Sequence, residues 1–182
     1  MDKSFAERLK RSIEDAEVRL ASGVPDNWLG PLIEAIKTSK RITYAPAARE
    51  EDALGICCGA SLSGVRSLLL AQSVGLLNTG GALATLAVSY GIPLVMIATD
   101  RGHLGDVTVG QYMKARSFRP FLDAMKIPYY DLSADFDARG QITQAYQMAE
   151  IGQTPVAILI TRNSMAEGSQ RKERGLFSDG FF

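Results

Sequence analysis

Histidine is almost missing from this chain of 182 residues, which has one, His103, and cysteine is scarce, with Cys57 and Cys58 side by side. So few candidate ligands argue against a zinc site of Cys and His, and no metal site is expected. Neighbouring cysteines rarely bridge, so no disulfide is expected, and the usage fits a reducing cytoplasm. A surplus of charge is absent as well: 20 Lys and Arg face 20 Asp and Glu, and the formal net charge is zero. Nucleic-acid binding needs a basic surplus on one face, and this balance argues against it. No apolar run reaches the roughly 18 residues of a membrane helix; the longest candidates end near 92–98. The opening Met1-Asp2-Lys3-Ser4 carries an acid and no apolar stretch, so no signal peptide is expected. Internal repeats and low-complexity segments are also wanting. What remains is ordinary globular composition, 46% hydrophobic and 22% charged, and a length that predicts one domain at roughly 150 residues each.

The apolar positions Phe5, Leu9, Ile13 and Ala16 are spaced as one face of a helix over 5–16. Alternation from Val18 to Val24 predicts a weak strand ending at Pro25-Asp26-Asn27, where Asp26 or Asn27 can cap a helix over 28–38. Strands follow at 42–45, 67–72, 93–98, 128–132 and 155–160, alternating with helices at 49–62, 78–90, 117–125 and 142–151. The inner strands are solid Leu, Val and Ile rather than half-polar, which signals burial on both faces. The expectation is an α/β, three-layer flavodoxin-like fold, about six parallel strands with helices on both faces. Right-handed crossovers put every strand-to-helix loop on one edge, so ligand-binding residues should come from 25–28, 46–51, 72–78 and 99–108. Residues 161–174 are polar, and the last eight hold Phe177, Phe181 and Phe182. The chain thus divides into a domain over 1–162 and a tail over 163–182 that is either disordered or docks on a partner.

Three of these loops hold groups with chemistry. Arg49-Glu50-Glu51-Asp52 opens a helix, where acids are stabilising by about 0.3–1 kcal/mol against the macrodipole. The residues that follow, Ala53 to Ala60, are small and apolar, so this helix start should pack closely and leave a carboxylate poorly hydrated. Gln72-Ser73-Val74-Gly75-Leu76-Leu77-Asn78 reads as a tight turn with Asn78 capping the next helix, or as a loop whose backbone approaches a flat ligand. Asp100-Arg101-Gly102-His103-Leu104-Gly105-Asp106 places two glycines and four ionisable groups together. Arg101 can grip an anion as a planar fork and His103 can exchange protons near neutral pH, or both can simply face water. Cys57 and Cys58 are expected to pack as small hydrophobes.

Together these segments resemble the pyrimidine-binding domain of thiamin-diphosphate-dependent decarboxylases, and within that family the alpha subunits of sulfopyruvate decarboxylases, with phosphonopyruvate decarboxylase a close single-chain relative. The likeness runs from Val24-Pro25-Asp26-Asn27-Trp28-Leu29-Gly30-Pro31-Leu32 to 155–160. It is most specific in Arg49-Glu50-Glu51-Asp52-Ala53-Leu54-Gly55-Ile56-Cys57-Cys58-Gly59-Ala60, similar to the family's Arg-Glu-Glu-Glu-x-x-Gly-Ile-x-x-Gly-Ala. Next come 72–78, Tyr90-Gly91-Ile92-Pro93-Leu94, Arg101-Gly102 and Ile127-Pro128-Tyr129. The resemblance implies that Glu50 is the catalytic acid, hydrogen-bonded to the cofactor's pyrimidine nitrogen and favouring the imino tautomer that takes the thiazolium proton. It implies that Gln72, Gly75 and Asn78 line the same cofactor pocket, and that Arg101, His103 and Asn27 meet the substrate.

The implied reaction is decarboxylation of a 2-oxo acid, 3-sulfopyruvate giving sulfoacetaldehyde and carbon dioxide. Phosphonopyruvate, another 3-substituted pyruvate, carboligation, or a non-catalytic flavodoxin-like regulatory role are the alternatives. Leu77, Gly80-Gly81 and Asp100 depart from the family's residues near where substrate should lie. The family's diphosphate motif, Gly-Asp-Gly followed by a later Asn, is absent, and Ser178-Asp179-Gly180 has only two residues after it. Thiamin diphosphate and magnesium are therefore implied, with metal and diphosphate held by a beta subunit in a hetero-oligomer or by a domain cut away.

Overall fold

The computed structural model describes residues 1–103, 106, 109–132 and 138–165. Its strands are β1 (Leu20–Gly23), β2 (Thr43–Pro46), β3 (Ser67–Gln72), β4 (Leu94–Thr99), β5 (Tyr129–Asp131) and β6 (Pro155–Ile160). They form one sheet in the order β2-β1-β3-β4-β6-β5, each neighbouring pair parallel. The helices are α1 (Lys3–Asp15), α2 (Gly30–Lys37), α3 (Glu50–Leu62), α4 (Ser73–Asn78), α5 (Gly80–Ala82, running into a π turn, Leu83–Val88), α6 (Val109–Ala124) and α7 (Ala138–Gly152). The expected three-layer architecture is what these elements build.

The apolar runs explain the layers. Every residue of β4 and β6 is buried, as strands covered on both faces require. One face of the sheet, with Leu68, Leu70, Val95, Ile97 and Ile158, packs on Leu9 and Ile13 of α1, Leu32 and Ile36 of α2, and Ile142 of α7. The other face, with Leu69, Met96, Ala98 and Leu159, packs on Leu54 and Cys57 of α3, Leu76 of α4, and Phe118 and Leu122 of α6. Each such Leu, Ile or Phe contributes about 1.5–3 kcal/mol of burial. Asp2 opens α1 by accepting from Phe5 N at 2.7 Å, satisfying a helix-start donor.

Three local expectations need correction. The segment 72–78 is not a tight turn: helix α4 starts at Ser73, directly after Gln72, whose backbone is extended. Its glycine marks a close approach rather than a turn, and Leu76 anchors the helix in the core. Asn78 consequently closes α4 and caps nothing after it, and the helix expected over 78–90 is a short α turn continued by the π turn. Helix α6 begins at Val109, eight residues before the expected start at Ser117. Exposed Tyr112 and Met113 on its first turns masked the apolar period.

Beyond its acidic first turn, Glu50-Glu51-Asp52, helix α3 has a mainly apolar outer face, with Ile56 and Leu62 exposed along it. Tyr90, just after the π turn, is 76% exposed. At the other end of the chain, Ser164 is buried and Met165 packs on the α1–α2–α7 core. The tail expected over 163–182 otherwise lies outside the described residues.

Candidate active site

Because all six strands run the same way, the residues that follow β1, β3 and β4 meet at one edge. The crossover after β1 runs to β2 on one side and the crossover after β3 runs to β4 on the other, which makes a crevice between β1 and β3 at that edge. Asp26, in the loop after β1, holds this crevice together. Its Oδ1 accepts from Trp28 N at 2.8 Å and Leu29 N at 2.5 Å, and its Oδ2 accepts from Gln72 Nε2 at 3.2 Å and Thr99 Oγ1 at 3.1 Å. Gln72 and Thr99 are register partners at the ends of β3 and β4, so one carboxylate ties three strand ends. Hydrogen bonds to a charged group are worth about 1.5–3 kcal/mol each.

Glu50 is the first residue of α3, behind an extended Arg49 that makes no side-chain cap. Its neighbour Glu51 takes Arg49 as a partner at 3.3 Å, on the surface. Among the described residues no hydrogen bond or ion pair holds the Glu50 side chain. What holds it is packing. Gly75 of α4 is buried, and a Cβ added there would fall on the Glu50 carboxylate and lie 2.6 Å from its Cγ. The absent side chain of Gly75 is therefore the space that Glu50 occupies. Ala53 and Leu54, fully buried, fix the helix behind it. Two residues from distant segments, expected at one pocket, are in contact.

The loop after β4 is less open than expected. Arg101 spends its fork on Asp106: Nε lies 3.1 Å from Oδ2 and Nη2 lies 3.0 Å from Oδ1. The guanidinium also stacks over the Trp28 ring at 4.8 Å, a favourable cation–π contact that joins this loop to the one after β1. The Arg101 guanidinium holds the Asp106 carboxyl below the ordinary carboxylate range, against burial, which pushes the other way. Gly102, at φ +94°, turns the chain here, and a side chain there would strike the Gln111 backbone. His103 Nε2 lies 2.9 Å from Asp100 Oδ2. Leu104 and Gly105 lie outside the described residues.

The edge gathers Asn27, Glu50, Gln72, Gly75, Arg101 and His103 on loops and helix starts that follow β1 to β4. Asn27 is exposed in the turn before α2, and Asn78 is exposed at the far end of α4, without a hydrogen bond to Glu50 or Gln72. Gln72 points its amide at Asp26 rather than away from the protein. Asp26 was legible as a helix cap, but its second oxygen, Trp28 and Asp106 were missed. The sequence signal for them was weak: an aromatic beside the cap, and a second acid five residues after Arg101.

The family described as thiamine pyrophosphate enzyme, N-terminal TPP binding domain, matches residues 3–115, and the chain belongs to it. The class is thus that of the thiamin-diphosphate enzymes. The particular likeness is to proteins named sulfopyruvate decarboxylase subunit alpha. That of Methanococcus maripaludis is 30% identical over 155 residues, covering 85% of this chain and 93% of the relative. That of Methanocaldococcus jannaschii is 32% identical, covering 81% and 88%. A phosphonopyruvate decarboxylase of Streptomyces hygroscopicus is 32% identical over 89 residues, 49% of this chain and 22% of the longer relative. In structure, a 2-oxoglutarate:ferredoxin oxidoreductase from Magnetococcus marinus superposes at a TM-score of 0.64 with 17% identity, over 86% of this chain and 28% of that one. That likeness is one of fold.

The residues fit one end of the family's cofactor. An unpartnered carboxylate beside bare backbone suits a ring nitrogen and a flat ring. Among the described residues no three His, Cys, Asp or Glu side chains converge to hold a metal ion.

Proposed function

We propose that this chain is the pyrimidine-binding alpha subunit of a thiamin-diphosphate-dependent decarboxylase that converts 3-sulfopyruvate to sulfoacetaldehyde and carbon dioxide together with a separate beta subunit. The observation that carries the reading is the Glu50 carboxylate, seated in the space left by Gly75 with no hydrogen bond or ion pair among the described residues. When bound, the cofactor supplies the electron sink for a 2-oxo acid losing its carboxylate. Glu50 binds the pyrimidine nitrogen and holds or moves the proton there. Gly75 bares backbone to the ring, and Gln72 and Asn78 border it. Arg101, His103 and Asn27, from the loops after β4 and β1, orient the substrate.

The partner is assigned magnesium and diphosphate because the family's Gly-Asp-Gly…Asn motif is missing from this sequence. The exposed apolar side of α3, which begins at Glu50, suits burial against that partner. The relatives' names support both the reaction and the division into subunits. Two free, buried cysteines fit a cytoplasmic protein, and no helix among the described residues is long and apolar enough to cross a membrane. The phosphonopyruvate decarboxylase relative keeps a phosphonate analogue as the second candidate substrate.

Calorimetry with thiamin diphosphate and magnesium tests the two-chain arrangement. Little binding is expected to the chain alone and clear binding once the beta subunit is added. Tight binding to the isolated chain would refute it.

A further inference from the structure

The loops after β1 and β4 meet in one contact that has no part in the chemistry described above. Trp28 is the single tryptophan of the sequence. It is half-buried, and its ring centroid lies 4.8 Å from the Arg101 guanidinium carbon. Its backbone is anchored. Asp26 Oδ1 accepts from Trp28 N at 2.8 Å, while Asp26 Oδ2 accepts from Gln72 and Thr99, the last residues of β3 and β4. Arg101 has no such support of its own. Its side chain is 16% exposed, it precedes Gly102 at φ +94°, and among the described residues its hydrogen bonds go to Asp106. The next arginine along the edge, Arg119, is already spent on Asp100 and Asp131.

We infer that Trp28 is a positioning residue that sets specificity by aiming Arg101 at the second anion of the substrate, an inference that rests on the decarboxylase reading above and on Arg101's place in it. A sulfonate is gripped best by a guanidinium fork held in one plane, with two parallel N–H donors. In this structure the Asp106 carboxylate fills that fork. A bound sulfonate takes the fork from Asp106, and Arg101 then loses both hydrogen bonds that oriented it within the protein. The stack on Trp28 uses the flat face of the guanidinium rather than its edge, so it survives the exchange. It keeps the plane in place and offsets part of the cost of holding a cation there. The consequence is selective. A 2-oxo acid with no second anion makes no demand on Arg101 and gains nothing from Trp28.

With the beta subunit present, Trp28→Ala should raise KM for 3-sulfopyruvate roughly three- to thirtyfold, with kcat within a few-fold and KM for pyruvate nearly unchanged. Trp28→Phe should recover most of the loss. Trp28→Leu, which keeps bulk without a π face, should not, and it takes the place of the alanine variant if that fails to fold. Trp28→Ala combined with Arg101→Ala should be no worse than Arg101→Ala alone. A second readout needs no turnover. The chain labelled with 5-fluorotryptophan and assembled with unlabelled beta subunit gives one fluorine resonance, since Trp28 is its only tryptophan. Sulfoacetate, a sulfonate without a 2-oxo group, should shift that resonance, acetate should not, and Arg101→Ala should abolish the shift. Equal KM losses for both substrates, full rescue by leucine, or additive losses in the double variant would overturn the inference. So would an unmoved resonance, or a shift that survives Arg101→Ala. A shift that needs Arg101, in a complex that decarboxylates no 2-oxo acid, would uphold the aiming of Arg101 at a sulfonate and overturn the decarboxylase reading.

Discussion

Gly75→Ala is the smallest change that separates the site from the fold. Gly75 lies inside α4, where alanine is normally more stable than glycine by about 0.5–1 kcal/mol. The added methyl would lie 2.6 Å from Glu50 Cγ, whereas ordinary contact begins near 3.4 Å. Glu50 must therefore move by about 1 Å, and a misplacement of that size costs roughly a hundredfold in rate. The side chain is only half-buried and makes no hydrogen bond or ion pair among the described residues, so it can swing outward at little cost. The helix gain then offsets the residual strain, and stability should change by less than about 1 kcal/mol. The assay pairs a thermal melt of the variant with its decarboxylation rate in the presence of the beta subunit. An unchanged melt with a hundredfold slower rate is expected. Full activity would show that the Glu50–Gly75 contact has no part in catalysis.

Arg101→Ala should raise KM for 3-sulfopyruvate roughly ten- to a hundredfold, the value of one or two charged hydrogen bonds, while pyruvate loses much less. Asp106→Asn should act oppositely and lower KM, because the acid now occupies the fork that the second anion needs; equal KM in both variants would return Arg101 to a structural role. Asp106 also predicts an acid limb. Its folded pKa is depressed by Arg101, so its contribution is present above the unfolded value and is lost as pH falls through the folded one. Asp106→Asn should flatten urea midpoints below about pH 4. The alkaline limb has the opposite sign. Burial pushes Cys57 up to about 12 and Cys58 to about 11, so above about pH 9 the unfolded chain releases protons that the folded one keeps, and stability falls. Cys57 alone accounts for on the order of 4 kcal/mol by pH 12, and Cys57→Ala should fall less steeply between pH 8 and 11 in urea titrations.

The parts legible in the sequence were those written in runs. Residues 94–99 and 155–160 are apolar at nearly every position, and only a strand covered on both faces tolerates that. Glu50 and Gly75 were singled out by the family resemblance; from the residues alone, the small apolar run after Glu50 indicated only that its helix start packs closely, which the contact with Gly75 matches. Less legible was anything set by a side chain reaching across the edge. Asp26 looked like a helix cap; its Oδ1 takes the Trp28 and Leu29 amides of the turn ahead of α2, whose own N-cap is Leu29, and nothing in the order of residues shows that its second oxygen reaches Gln72 and Thr99. Arg101 has acids on both sides, Asp100 and Asp106, and its choice depends on the turn at Gly102. Asp100 instead takes Arg119 from a helix whose first half had no visible period. Gly75 misled in one respect, since a glycine between two apolar segments reads as a turn and here sits inside a helix.

The central claim is that Glu50, and not its neighbour, activates the cofactor of a two-chain decarboxylase. Carbon dioxide release from 3-sulfopyruvate by the assembled complex, compared between Glu50→Gln and Glu51→Gln, tests it most directly. Glu50 lies against Gly75 without a hydrogen bond or ion pair among the described residues, whereas Glu51 sits on the surface beside Arg49. Glu50→Gln should lose about 10⁴ in rate, the upper end of acid–base contributions, with the complex still assembled. Glu51→Gln should stay within a few-fold of wild type, as loss of a helix-start acid worth about 0.3–1 kcal/mol. The reverse ranking, or near-wild-type activity in Glu50→Gln, would contradict the account.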